Sequence, residues 1–259
     1  MCGRYASSAS RDKLIETFAI DVVGSRGDPA PPEAEWLQPR WNLAPTDPVP
    51  GVLERLDPDA GVPVRRLTGL RWGLVPSWSH DASGAARMIN ARLETVTEKP
   101  SFRKAMASRR CLLPADGYYE WYASSAQPTP PTCKVVKQPF FIHPADATAT
   151  GGLMVMAGLY EFWKDPQALA GVDPWLVSCT IITTAATDDL GMIHDRMPVQ
   201  VRPEHWADWL DPSLTDSLQA RSLLHIPGVG EMNAYAVSRL VSNVRNDGPE
   251  LIAELPAGQ

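Results

Sequence analysis

The apolar residues of this chain fall into many short runs that read as strands, broken by a few helices. No regular alternation of strand and helix links them, which restricts the fold to the mixed α+β class. Strands are expected at Val49–Leu56, Arg66–Val75, Cys111–Pro114, Tyr118–Tyr122, Pro139–His143 and Leu153–Phe162. Leu176–Thr184, rich in β-branched residues, reads as a further buried strand. Helices are expected over Ser10–Ile20 with Ser10 as N-cap, over Ser101–Ser108, over Pro203–Leu210 with proline in its first turn, and over Thr215–Leu224. Tyr235–Val244 adds a strand or a short helix. The 25 prolines include a cluster at Pro29, Pro31 and Pro32 and the run Pro128–Pro131, both of which read as surface loops. No linker divides the chain, so residues 1–259 form one domain.

Net charge is −6, at first sight a poor match to nucleic acid, but the charge is uneven. Residues 1–137 carry 18 basic against 15 acidic side chains, and residues 138–259 carry 6 against 15. Between Ala85 and Arg110, Arg87, Arg92, Lys99, Arg103, Lys104, Arg109 and Arg110 face only Glu94 and Glu98. Local potential, not total charge, governs phosphate binding. Cys2, Cys111, Cys133 and Cys179 lie far apart with no CxxC pair, which argues against zinc and against a disulfide framework. The start lacks a secretory signal and no apolar run approaches the ~20 residues of a membrane span. The expectation is a cytoplasmic chain without cofactor or metal.

Cys2 holds the most unusual chemistry. Methionine aminopeptidases remove Met1 before a small residue, which leaves an α-amine and a thiol on adjacent carbons. Both titrate near neutrality in a free chain, at about 7.7–8.0 and about 8.5. Such a pair condenses with an aldehyde to a five-membered thiazolidine, the second addition being intramolecular. In Met88–Glu94 an extended backbone puts Asn90, Arg92 and Glu94 on one face and Ile89, Ala91 and Leu93 on the other. Asp116-Gly117 marks a turn into a strand where Glu120 lies among aromatics, a setting that raises a carboxyl pKa and suits proton transfer. His194, on a loop after the strand and a Gly191 turn, is a candidate acid beside Asp195. Trp78 sits at the tip of a turn where it can stack on bases, whereas Trp41 and Trp121 read as core.

The segments Met1-Cys2-Gly3-Arg4-Tyr5, Asn42–Thr46, Arg71–Trp78, Asn90–Thr95, Ala115–Trp121 and Ile193–Pro198 together resemble, in order, those of the SRAP (SOS response-associated peptidase) family. Val237-Ser238 to Asn243-Val244 resembles its closing segment. The resemblance implies a single compact domain with a β-barrel-like mixed sheet and peripheral helices. It implies binding of single-stranded DNA and covalent capture of abasic sites by Cys2, with lyase-like and peptidase activities attached to the family. By the same likeness Asn90 positions the Cys2 amine, Glu120 is acid and base, and His194 assists sugar opening. Arg4, Trp78, Arg92 and Arg103 hold the strand, and Ser79 stands where the family carries a second aromatic. A monomer, nucleoid-associated in a bacterial cell, is implied. Three rival readings remain. One is an N-terminal-cysteine hydrolase resembling the glutamine amidotransferases, faintly echoed at Arg26-Gly27-Asp28. The others are a peptidase and a DNA-binding module without covalent chemistry.

Overall fold

The computed structural model describes residues 2–24, 31–123, 137–169, 171 and 173–256. The expected loops at Pro29 and at Pro128–Pro131, the Arg26–Asp28 segment, Met1 and Cys133 lie outside the described residues.

Five strands close a ring. Pro48–Leu56 pairs with Pro63–Trp72 and with Arg110–Ala115. Arg110–Ala115 pairs with Met154–Lys164, which pairs with Trp175–Ala185. Trp175–Ala185 returns, in parallel, to Pro63–Trp72. The result is a small mixed barrel in an α+β domain, as expected. Both faces of these strands are apolar, so they read as continuous hydrophobic runs. Along Met154–Lys164, Met154, Met156 and Tyr160 join one buried cluster, while Val155, Ala157 and Leu159 join another. The second cluster also contains Leu14 and Phe18 of helix Arg11–Phe18 and Trp206 and Trp209 of helix Trp206–Leu210, so it lies outside the ring. The first fills the barrel, where a Cβ on Gly158 would come within 2.8 Å of Cys111 Sγ. Such a small lumen leaves room only for hydrogen at that position.

A second sheet, all antiparallel, is ordered Met232–Ala236, Gln138–Pro144, Gly117–Tyr122, Tyr5–Ser7 and Arg40–Leu43. Its Tyr5, Leu43, Tyr118 and Ile142, with Cys2 just before its strand Tyr5–Ser7, pack with the barrel's inner cluster, so this sheet lies against the barrel contents. Asp116-Gly117 leads into a strand, as expected from the sequence, and that strand joins the second sheet. Asp116 alone separates Arg110–Ala115 of the barrel from Gly117–Tyr122 of the second sheet. Its N–H donates to Ala6 O and its carboxylate accepts from Ser8 N–H, which tie the kink to the first strand. Gly117 is required because a Cβ there would lie 2.5 Å from Ile142 O.

The helix expected at Ser10–Ile20 spans Arg11–Phe18, and the Ser10 side chain accepts from Lys13 N–H. Pro203–Leu210 divides into a 3₁₀ turn and a helix, and Tyr235–Val244 contains both the end of a strand and the 3₁₀ turn Arg239–Ser242. His194 does not leave a strand directly. Gly191 lies inside a short helix, Asp188–Ile193, and His194 is its C-terminal cap. No helix among the described residues is long and apolar enough to cross a membrane.

Candidate active site

Cys2 precedes the strand Tyr5–Ser7, whose pairing aligns Tyr5 with Tyr118, two residues before Glu120. Tyr119 N–H donates to Arg4 O at 2.9 Å, which extends this alignment toward the chain's start. Asn90 comes from the opposite direction, on a strand in parallel register with Ile181. Its Nδ2 donates to the Cys2 carbonyl at 2.9 Å. Asn90 Oδ1 is buried and finds no donor among the described residues. An unused buried acceptor is costly and marks a place where a donor is expected.

Helix Asp188–Ile193 packs on the Glu120 strand and brings His194 Nε2 to 3.9 Å from Glu120 Oε2. That gap exceeds a direct hydrogen bond and fits an intervening water or sugar oxygen. Glu120 is 3% exposed, and burial holds its carboxyl up at about 7. The Asp195 charge raises it further and Lys137 opposes. Burial lowers the His194 pKa from its ordinary value, which favours the neutral ring. Its Nδ1 meets two groups, the Arg196 N–H at 3.1 Å and an Asp195 carboxylate oxygen at 2.9 Å. The Arg196 backbone N–H donates to Nδ1, and the Asp195 side chain is exposed. The neutral ring therefore accepts at Nδ1 and carries its proton on Nε2, facing Glu120. Protonation lets Nδ1 donate to Asp195 instead. Cys2 has no exposed surface; burial, then the Glu120 charge, push its thiol well up, and the Arg4 N–H partly counters this.

Cys2, Asn90, Glu120 and His194, spread over nearly 200 positions, thus line one end of the barrel contents. Tyr118 belongs with them. It is buried, and its hydroxyl is held protonated by burial and by the neighbouring Cys2 and Glu120. Nothing in its sequence context separates it from a core tyrosine. Arg196 was also not singled out: its guanidinium grips both oxygens of Glu94 at 2.9 and 3.1 Å and the Thr183 carbonyl at 2.6 Å. That fork holds Glu94 at about 2 and ties the His194 segment to the Asn90 strand. Glu94 is therefore committed to Arg196, and it lies beyond the strand Asn90–Arg92, in a turn, so the extended face expected through Glu94 stops at Arg92.

The residues assigned to the DNA strand divide. Trp78 is 59% exposed, and Arg92 and Arg103 are exposed, as are Arg87, Lys99 and Lys104. Arg109 pairs instead with Glu161 at 2.8 Å, and the buried Arg110 donates to four backbone carbonyls, of Met106, Ala107, Trp209 and Asp211. Trp41 and Trp121 are half-buried against a third, smaller cluster.

Arg4 is engaged within the fold. Its Nη1 donates to Asn42 Oδ1 at 2.7 Å and to Val241 O at 2.9 Å, and its guanidinium lies 5.6 Å from the Trp121 ring. A phosphate at Arg4 would share a cation already braced there. Asn42, fully buried, directs its Nδ2 to the carbonyls of Val241, Asn243 and Asn246. Asn42→Ala takes this donor from the Asn243 and Asn246 carbonyls and leaves one Arg4 donor unpaired, and is expected to cost about 3 kcal/mol in chemical denaturation. A loss under ~1 kcal/mol would show that the closing segment is not held by this side chain.

Residues 1–244 match the family profile described as SOS response associated peptidase (SRAP). The chain is 38% identical to the abasic site processing protein YoqW of Bacillus subtilis (strain 168), over 97% of this chain and 99% of that protein. It is 31% identical to the abasic site processing protein HMCES of Gallus gallus, over all of this chain and 79% of that one. A crystal structure of a Bacteroides thetaiotaomicron protein superposes with a TM-score of 0.73 at 24% identity, covering 98% of this chain and all of that one. With its barrel, its second sheet and its leading Met-Cys-Gly-Arg-Tyr, this chain belongs to the SRAP family.

Proposed function

We propose that the chain binds single-stranded DNA and captures abasic sites as a thiazolidine on Cys2 once Met1 has been removed. The observation that carries the reading is the meeting of Cys2, Asn90, Glu120 and His194, together with the abasic-site relatives. The closed abasic sugar masks its aldehyde. His194 Nε2–H donates to the ring oxygen and eases opening. The Cys2 amine adds to C1′, and loss of one water gives the imine. Glu120, with a carboxyl near 7, passes the protons in both steps. The Cys2 sulfur then adds to the imine carbon, its proton moves to nitrogen, and the ring closes without a further leaving group. Asn90 receives the freed amine at its unpaired Oδ1.

The raised thiol pKa fits this order of events. A buried, protonated thiol is a poor first nucleophile toward a peptide bond, whereas the imine carbon needs no such strength. Exposed Arg92, Arg103 and Trp78 supply phosphate contacts and a stacking surface for the strand.

The test is incubation of the purified chain with an abasic oligonucleotide. A covalent band should form whose mass is protein without Met1 plus DNA less one water. Borohydride should not alter it, since a thiazolidine has no reducible C=N bond. A chain made to retain a residue before Cys2 should give no band. A band from that blocked chain would overturn the reading.

A further inference from the structure

A groove of about 590 Å³ lies beside the candidate site, bounded by Tyr122, Phe140, Leu190, Met192, Ile193 and Val229. We propose that it holds the unstacked nucleobase of the nucleotide adjoining the abasic sugar. The inference rests on the reading of Cys2 as the capturing residue.

Three observations support it. First, the groove's lining adjoins the site residues along the chain and across the sheet. Phe140 is the direct cross-strand partner of Glu120, and Tyr122 follows Glu120 by two residues on the same strand face. Ile193 immediately precedes His194. A sugar with one oxygen held by Glu120 and His194 therefore has the groove within reach of its neighbour. Second, the lining suits a flat, neutral, aromatic guest. None of its residues is charged, and Tyr122 and Phe140 stand edge to face at 6.3 Å and 90°. Met192 is 73% and Val229 76% exposed, an apolar pair left open beside a buried polar cluster. The volume exceeds a single base and lies within the range of small-molecule sites. Third, the polar parts are placed at the edge. Asn233 is exposed and offers an amide to a base edge, and the exposed Lys137 acts electrostatically on both Glu120 and His194. A cation there suits the phosphate that links the captured sugar to the nucleotide in the groove.

The test uses abasic oligonucleotides with 2-aminopurine on either flank, and a tetrahydrofuran strand as a non-reacting analogue. On one flank the fluorescence should change when the chain binds, and Met192→Gln/Val229→Gln should remove that change. Both substitutions are at exposed positions; an unaltered melting temperature confirms that the fold is intact. Tyr122→Leu should slow capture roughly tenfold, about 1.4 kcal/mol, on a strand with a base at that flank. It should leave the rate unchanged on a strand whose flanking nucleotides are also baseless. Capture at equal rates with and without flanking bases would overturn the groove while leaving the covalent chemistry standing. A fluorescence change on the tetrahydrofuran strand with no adduct on the abasic one would support the groove and sink the chemistry. A two-chain mass in light scattering, returned to one chain by Met192→Gln/Val229→Gln, would assign the groove to self-association and overturn the proposal.

Discussion

Cys2→Ala should lose the stable adduct altogether and yield strand scission in its place. The variant keeps a leading amine beside Asn90, so an imine with the abasic aldehyde still forms. Without the sulfur nothing closes the ring, and the reversible imine accumulates only if borohydride traps it. Ring closure by a neighbouring thiol has a large effective concentration, so its loss should lower stable capture by about a hundredfold or more. The open imine also acidifies the adjacent sugar proton. Glu120, close enough to act on the Cys2 thiol's charge, is then placed to remove that proton and expel phosphate. Denaturing gels with and without borohydride separate these species. A borohydride-resistant band of wild-type intensity from Cys2→Ala would exclude the thiazolidine.

Glu120→Gln should slow capture by about a hundredfold to ten-thousandfold, the usual range for loss of an acid–base group. The wild-type rate should depend on pH around 7, where the carboxyl changes charge, and the variant should lose that limb. Stability should move the opposite way. The folded state holds the Glu120 proton up to about 7, whereas the unfolded chain releases it in the ordinary carboxylate range. Native protein therefore binds more protons across that window, and wild-type stability falls as pH rises through it. Above pH 7 the buried carboxylate is a cost that Gln avoids. Glu120→Gln should thus unfold at higher denaturant than wild type at pH 8, by roughly 2–4 kcal/mol, and show little difference at pH 4. A variant less stable than wild type at pH 8 would mean that Glu120 is held there as a structural anion.

The longer strands were legible because apolar and β-branched runs are local signals, whereas Tyr5–Ser7 and Arg40–Leu43 were not among the strands expected. Leu176–Thr184 and Leu153–Phe162 were each found within one or two residues of their ends. The Ser10 cap was legible for the same reason, since a hydroxyl and an N–H three residues on need no distant partner. The turn into a strand at Asp116-Gly117 was legible too, but a hairpin and a single-residue kink use the same residues. What distinguishes them is whether the next strand returns to its predecessor or joins another sheet. The basic segment misled in part: Arg109 and Arg110 resemble Arg103 in sequence, yet one binds Glu161 and the other caps carbonyls of two helices.

By itself the sequence determined the α+β class, the order of the longer strands along the chain, and four residues of reactive or titratable type as candidates. It did so through local propensity and through motifs that keep their residues adjacent. Only the tertiary structure decided which apolar face lines the barrel, that Arg4 braces the closing segment, and that Cys2, Asn90, Glu120 and His194 meet. Those outcomes depend on register between strands far apart in the chain. Pairing across the sheet fixes that register, and no local run of residues encodes it.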